Sequence, residues 1–564
     1  MHFIKKYLPL ILVVLVGLIL RAWGINFGLP YQFHQDEPVV INHALGYGTG
    51  DLNPHFFIIP PFSSYLVFFG YGIYFLIGKL FGIFNSTQCF AMQFLIDPTW
   101  FYLIARIILG LVPGALNIVL VYLLFRKIFG EKGSLYAASV ASFSFLMVAN
   151  SHYAYTDNLL VSFILLAYIF LFKIAESADI KNFIFAGLFI GLGIGTKYNA
   201  GILLVSLIIA HIMGQSGRRE KNWFNYRIII CLSVAVAAFV FTNPFALLDW
   251  KFFLFTLTYK IRSGYVGWLH HFTYSLKNGI GSLLVIAGLL GFISIVIKER
   301  KKALLFFSFP VVFYLHLAIK SQPYSRYVLA LVPFFAISCG FLFFNIILPN
   351  CKGRFLKFVA ILVALSALFA TLFKAIKADF LFAGKDTRQI AANWIEENIP
   401  ASSRIAMDHT SFSPPIKQTS EQIKEKYAYI DNKSKIAKLK EKRLDLLVSA
   451  LRYNKTYNIY FLFQKNAELE FLSMHPAVDF DLEQLQNKNI EYVVVHYNVF
   501  YPEKDGFIGS LKENASLIAS FSPYFDEKIR YAYDQIDITC LAVADLELYS
   551  RKFSGPSLEI YRLK

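Results

Sequence analysis

Apolar runs long enough to cross a lipid bilayer recur through the first two thirds of the chain, and they constrain its fold more than any other feature. Roughly 20 apolar residues span the hydrocarbon core as a helix, and only helices and closed barrels satisfy their own backbone groups there. Eleven runs read as spans: residues 7–20, 100–125, 134–151, 158–174, 183–196, 199–214, 227–243, 278–297, 303–319, 327–348 and 356–376. The first follows Lys5 and Lys6 with no small-residue cleavage site behind it, so it reads as an uncleaved span with a cytoplasmic N-terminus. A further apolar stretch, 58–84, is equally long. Laying it along the outer interface, or folding it back as a re-entrant segment, puts every basic loop on the cytoplasmic side, as the positive-inside bias requires. Those loops carry Arg126/Lys127/Lys132, Lys173/Lys181, Arg218/Arg219/Lys221/Arg227, Lys298–Lys302 and Lys352/Arg354/Lys357. The break at Thr196–Asn199 reads as a tight outer hairpin, and Gly187, Gly191 and Gly195 offer a face on which another helix can pack closely.

Composition excludes several classes. Charged residues make up 16% of the 564 and hydrophobic ones 56%, against roughly 25% charged in soluble proteins. The formal net charge of +17 is assigned to cytoplasmic loops, and no nucleic-acid-binding module is visible. Five cysteines (Cys89, Cys231, Cys339, Cys351, Cys540) stand far apart with no CxxC pair, which excludes a disulfide framework or a zinc ribbon.

The pattern changes near residue 378. A helix is expected after Asp386 or Thr387 as cap, with Ile390, Ala391, Trp394 and Ile395 as one apolar stripe and Pro400 as its stop. Asp481 precedes a second helix, Ile490–His496 reads as a β-branched strand, and Leu558–Leu563 as a closing strand. The expected division is a membrane domain, 1–377, with interfacial helices in its first outer loop, 30–98, and an α/β domain, 378–564. An odd number of spans from a cytoplasmic start places that second domain outside. Its lysine-rich middle, Lys424–Arg443, reads as a solvated face.

Ionisable residues cluster toward the outer ends of the spans: Arg21, Asp36, Glu37, His55, Arg106, His152, Asp157, Lys197 and Arg326, with Tyr153 among them. Charges at a membrane edge mark sites or pathways. Asp36, Glu37 and Asp157 suit a general base, a metal or an oxocarbenium-like transition state; the arginines and Lys197 suit an anion, foremost phosphate. Carboxylates and a phosphate clamp at the lipid edge point to a lipid-phosphate substrate.

The motifs have a recognisable order: Gly28-Leu-Pro30 before Asp36-Glu37, then Gly50-Asp-Leu-Asn-Pro-His-Phe-Phe57 with Pro60-Pro61, His152-Tyr-Ala-Tyr-Thr-Asp157, Gly191-Leu-Gly-Ile-Gly-Thr-Lys197-Tyr, and Arg326-Tyr-Val-Leu-Ala-Leu-Val-Pro333. In this the chain resembles the GT-C membrane glycosyltransferases, in the branch of protein O-mannosyltransferases and aminoarabinose transferases. The resemblance covers roughly residues 1–400. It implies a polytopic helical fold in the plasma (inner) membrane and inverting transfer of a sugar from a polyprenyl-phosphate donor to an extracytoplasmic acceptor, whether protein, lipid or glycan. It implies Asp36 as general base or acceptor-orienting carboxylate, Glu37 in support and Asp157 as the second acid. By the same resemblance Lys197 and Arg326 would contact the phosphate; Arg106, Arg21, His152 and Tyr153, from their place at the outer ends of the spans, are further candidates to contact substrate or phosphate. A divalent metal is the one cofactor the site could take, with Asp36, Asp157 and His55 as ligands. The chain departs from the aminoarabinose transferases at Ile58-Ile59-Pro60-Pro61, where they carry an acidic and a basic residue.

Each residue also has an ordinary reading. Asp36-Glu37-Pro38 makes a helix cap and acidic first turn, Asp157 a second cap, Lys197 a snorkelling side chain, and Arg21 a partner for a nearby carboxylate. A lipid-linked-sugar transporter or flippase is the alternative function. It would show internal repeats and helices broken at the midplane, and the sequence has no such repeat.

Overall fold

The computed structural model describes residues 2–177, 179–215, 226–258, 267–319, 324–408, 412–428, 444, 448, 455–463, 477–496, 503–529 and 543–564. Arg218, Arg219, Lys221, Cys540 and the lysine-rich run beyond Ala428 lie outside these, apart from Leu444 and Val448 further on.

The first two thirds are helical: α1 (His2–Ala22), α2 (Glu37–Tyr47), α3 (Phe62–Leu80), α4 (Thr87–Ile96) and α5 (Thr99–Phe129), the last carrying a π-turn at Ile107–Leu111. There follow α6 (Ser134–Phe143), α7 (Phe145–His152), α8 (Asp157–Glu176), α9 (Ile180–Thr196), α10 (Tyr198–Gln215) and α11 (Tyr226–Thr242). Then come α12 (His271–Ile280), α13 (Ser282–Lys298), α14 (Arg300–Ile319), α15 (Ser325–Asn350) and α16 (Arg354–Ala383). Among the described residues, seven helices are long and apolar enough to cross a membrane, or nine if the bent pairs α6–α7 (56°) and α12–α13 (114°) each count once. With α9 and α11 at 17 residues, this is a multi-pass helical architecture. The stretch expected to be re-entrant contains a single unbroken helix, α3. Large apolar side chains on the outside, among them Leu80, Phe241, Phe355 and Phe369, face outward as lipid-contacting residues do.

Two local devices shape the bundle. At Ser144 the chain turns between α6 and α7, and Ser144 Oγ accepts from the Met147 amide, 3.5 Å, to restart the helix. The glycine face of α9 meets α11 as its spacing predicts: a Cβ added at Gly187 or Gly191 would stand 2.3 Å from the carbonyl oxygen of Cys231 or Ala235, and one at Gly195 2.2 Å from Thr242 Oγ1. At the end of α5 and α8 remote from Arg106 and Asp157, Lys6 and Arg126 meet Glu131 (3.3 and 2.8 Å), Lys127 pairs with Glu176, and Lys302 lies over Phe129. Basic positions from three separate segments therefore share one end of the bundle.

The boundary expected at 377/378 falls inside α16, which continues to Ala383 because nothing in Lys377–Phe382 breaks it. Beyond Gly384, α17 (Thr387–Asn398) starts from a capping box: Asp386 accepts from the Arg388 amide, 2.9 Å, and Gln389 Oε1 from the Asp386 amide, 3.3 Å. The expected stripe divides. Ala391 and Ile395 are buried under the sheet, while Ile390 and Trp394 are half-buried along its edge. Strands β1 (Arg404–Met407), β2 (Lys417–Gln418), β3 (Thr456–Phe463), β4 (Ala477–Asp479), β5 (Tyr492–His496), β6 (Ala515–Phe521) and β7 (Leu558–Leu563) form one sheet in the order β2-β3-β1-β5-β7-β6, with β4 also on β3. Its β2-β3-β1-β5 part is parallel; β5-β7-β6 is antiparallel. Lys374 of α16 reaches from the membrane helices into this second unit, 2.6 Å from Asp545 Oδ1 and 2.6 Å from the Val543 carbonyl.

Candidate active site

The loop before α2 aims two adjacent carboxylates in opposite directions. Neither caps the helix. His34 Nδ1 accepts from the amides of Asp36 (3.1 Å) and Glu37 (3.2 Å), so the imidazole does the capping and the Asp36 carboxylate makes no cap bond. Tyr153 packs its ring on His34, 4.6 Å between centroids, and holds it in place.

Glu37 turns inward. Its oxygens accept from Arg106 Nε (2.7 Å) and Nη2 (2.8 Å), and Oε1 also from the Ala154 amide (2.8 Å). Arg106 Nη1 donates to the Ile25 and Phe27 carbonyls at 2.7 and 2.8 Å. Both side chains are fully buried. This corrects two expectations: Glu37 and Arg106 pin α1's exit, α2, α5 and the 152–157 loop together, and their mutual pairing leaves no face for substrate. Arg21 is likewise buried, its guanidinium donating to the carbonyls of Gly17, Ala141 and Ser142 at 2.9–3.0 Å, where α6 ends. His152 is spent on the Val148 and Trp23 carbonyls, with Asp379 3.5 Å away. Arg21 and His152 are thus occupied with backbone carbonyls, and Tyr153 packs on His34; none of the three joins the cluster around Asp36.

Asp36 turns outward, and here four of the expected residues converge. Arg326 Nη1 lies 2.6 Å from Asp36 Oδ2, and Lys197 Nζ 2.7 Å from Asp157 Oδ1. Two tyrosine rings lie between the pairs. Arg326 stands 4.8 Å over Tyr155 and 5.5 Å over Tyr327; Lys197 stands 6.0 Å over Tyr155 and 4.8 Å over Tyr327. Tyr324 flanks Arg326 at 5.0 Å. Burial, above all, holds the Tyr155 phenol well above its usual range; the nearby Asp36 and Asp157 add to this and Arg326 opposes it. Asp157 occupies the first turn of α8 without capping it, and its Oδ2 is buried with no hydrogen-bond partner among the described residues. Asp36 keeps 26% of its side chain exposed and Lys197 20%, so the cluster opens to the outside through those two groups.

Sequence reasoning placed these four residues on one side but missed Tyr155 and Tyr327. Their signal was adjacency: one lies two residues before Asp157, the other directly after Arg326. His55 is not part of the cluster. It pairs with Asp51, 3.0 Å, on an exposed loop. Asp36 and Asp157 each hold a cation of the protein, and among the described residues no three His, Cys, Asp or Glu side chains come together as metal ligands. The expected ligand set of Asp36, Asp157 and His55 therefore does not fit a metal in this arrangement.

Residues 92–246 match the family model of the dolichyl-phosphate-mannose-protein mannosyltransferases. No curated protein matches the sequence. Among solved structures, the oligosaccharyltransferase of Archaeoglobus fulgidus in its apo form aligns at 13% identity over 98% of this chain and 78% of that one, TM-score 0.48. ArnT from Cupriavidus metallidurans in the apo state aligns at 12% identity over 90% and 95%, TM-score 0.47. The matched family segment holds Arg106, Tyr155, Asp157 and Lys197, and it bears out the resemblance to GT-C membrane glycosyltransferases of the mannosyltransferase type that the order of motifs first suggested.

Proposed function

We propose that the protein is a membrane glycosyltransferase that moves a sugar from a polyprenyl phosphate to an acceptor on the extracytoplasmic face, with inversion. The observation that carries this is the convergence of Asp36–Arg326 and Asp157–Lys197 about Tyr155 and Tyr327. The family whose model matches is itself named for a lipid-phosphate sugar donor.

In this reading each cation is held by a carboxylate until the donor arrives. The donor phosphate takes Arg326 and Lys197 from Asp36 and Asp157, which leaves Asp36 available to an acceptor hydroxyl. The hydroxyl oxygen attacks the anomeric carbon, the bond from that carbon to the phosphate oxygen breaks, and the electron pair leaves with the phosphate while Asp36 takes the hydroxyl proton. Phosphate is already a competent leaving group, so positioning and charge stabilisation supply most of the acceleration. Asp157, with one buried oxygen unpaired among the described residues, stabilises positive charge on the sugar ring or keeps Lys197 aimed.

The same reading places α3 along the outer interface, gives about eleven crossings of the plasma (inner) membrane with the N-terminus cytoplasmic, and puts the α/β unit outside. The test is transfer from defined polyprenyl-phosphate sugars to saccharide and peptide acceptors by the purified protein in detergent, scored by acceptor mass. Transfer with anomeric inversion supports the assignment. Absence of transfer from every such donor, together with facilitated passage of a lipid-linked sugar across vesicles, would replace it with the transporter reading.

A further inference from the structure

A cavity of about 430 Å³ opens between α17 and the loop that carries Asp36. This is within the size of small-molecule sites, roughly 300–1,000 Å³. Three aromatic rings border it: Tyr31 from the loop, Trp394 from α17 and Phe521 from the end of β6. Trp394 and Phe521 meet edge to face at 6.2 Å. Gln389, Asn393 and Glu397 also line it. They recur every fourth residue, which sets them in one row along α17. Asn393 and Glu397 have no side-chain partner among the described residues, and Gln389 uses only its carbonyl, in the capping box. The row therefore offers amide donors, an amide acceptor and a carboxylate beside flat ring faces.

The cavity and Asp36 share a loop. Tyr31 stacks on Phe33, 5.9 Å, and Phe33 lies under the Arg388 guanidinium at 3.8 Å, with His34 next to it capping α2. Arg388 is itself fixed by Asp386 through two 2.8 Å bonds. Tyr31 on the cavity and Asp36 in the cluster stand five residues apart on that loop, so an acceptor with its reacting hydroxyl at Asp36 would extend toward the cavity along it.

We infer that the cavity binds the body of a saccharide acceptor: Tyr31, Trp394 and Phe521 take the C–H faces of sugar rings, and Gln389, Asn393 and Glu397 take vicinal hydroxyls. The inference deepens the proposed function and rests on it for the direction of the acceptor. Rings with a polar edge and planar side-chain amides suit a ligand that alternates C–H faces with hydroxyls. A peptide that adds as a strand would be recognised through main-chain hydrogen bonds along a sheet edge, which is one of several ways peptides bind. The polar lining here comes from side chains on a helix, whose main chain is already paired within itself.

The test is saturation-transfer NMR on the full-length protein in detergent without any donor, so that it is indifferent to whether Asp36 catalyses. The probes are mannotetraose, cellotetraose, chitotetraose and a Ser-Thr repeat decapeptide. At least one tetrasaccharide should receive saturation, falling five-fold or more in Trp394→Ala and in Asn393→Ala, with recovery in Trp394→Tyr. Asn393 is exposed, so its variant leaves the fold intact. The inference is overturned if no tetrasaccharide is saturated, if both alanine variants leave the signal unchanged, or if the decapeptide is bound through Trp394 instead. Tetrasaccharide binding in a protein that transfers no sugar would overturn the proposed function and leave the cavity assignment standing.

Discussion

Arg106 donates to both oxygens of Glu37 and to two carbonyls, so a substitution that removes it strands a carboxylate in a dry interior. Breaking a buried pair from one side costs about 3–5 kcal/mol. Arg106→Met should therefore lower the unfolding midpoint in detergent sharply, and Glu37→Leu in the same chain should recover part of the loss. His34→Ala removes the cap of α2 and should cost about 1 kcal/mol, as loss of a side-chain cap does. Arg326→Lys keeps the charge but loses the planar fork facing Asp36 and the three tyrosines. The loss of a charge-assisted bond of about 1.5–3 kcal/mol should lower kcat/KM for the donor roughly tenfold to a hundredfold, with little change in the unfolding midpoint. Which carboxylate of the 36–37 pair faces outward was not legible in the sequence. An aspartate before a proline-led helix reads as its cap, and the imidazole two residues earlier takes that role only because Tyr153, more than a hundred positions away, holds the ring. The inward fate of Arg21, Arg106 and His152 was hidden for the same reason. Beside one carbonyl a turn away for Arg21 and for His152, their partners are carbonyls and one glutamate brought in from distant segments.

Elements with a local rule were legible. The capping box at Asp386, the helix after Asp481, the strand Tyr492–His496 and the glycine face of α9 all follow from residues within one or two turns. Gly191 shows how tightly the last is enforced: its neighbour across the interface is backbone, which cannot move aside. Gly191→Leu should force α9 from α11 and cost about 1–3 kcal/mol or more, as overpacking does. A lower unfolding midpoint with wild-type composition of the detergent complex is the expected readout. Boundaries set by packing were less legible. α16 ends at Ala383, seven residues beyond the expected end of that span, and its last turns carry Lys374 and Lys377 onto the 543–551 segment.

The molecule as a whole joins a helical membrane unit to an α/β unit through α16 and the loop that carries Asp36. Among the described residues, the contacts that tie that joint include Lys374 to Asp545 and Val543, Lys377 to the Arg551 carbonyl, and Arg388 over Phe33. Lys374→Met removes the first and should speed limited proteolysis beyond Gly384 relative to wild type; an unchanged rate would show that the joint does not depend on this lysine. What was legible at this scale was that four distant residues belong together. One parity of spans put Asp36, Asp157, Lys197 and Arg326 together, and the structure groups them around two tyrosines. The most direct measurement of the account is sugar transfer by Asp36→Asn from a defined polyprenyl-phosphate donor, run beside its unfolding midpoint. The account predicts a loss of transfer of at least about a thousandfold, in the range of removing a general base together with its positioning, at an unfolding midpoint close to wild type. Transfer near the wild-type rate would contradict it.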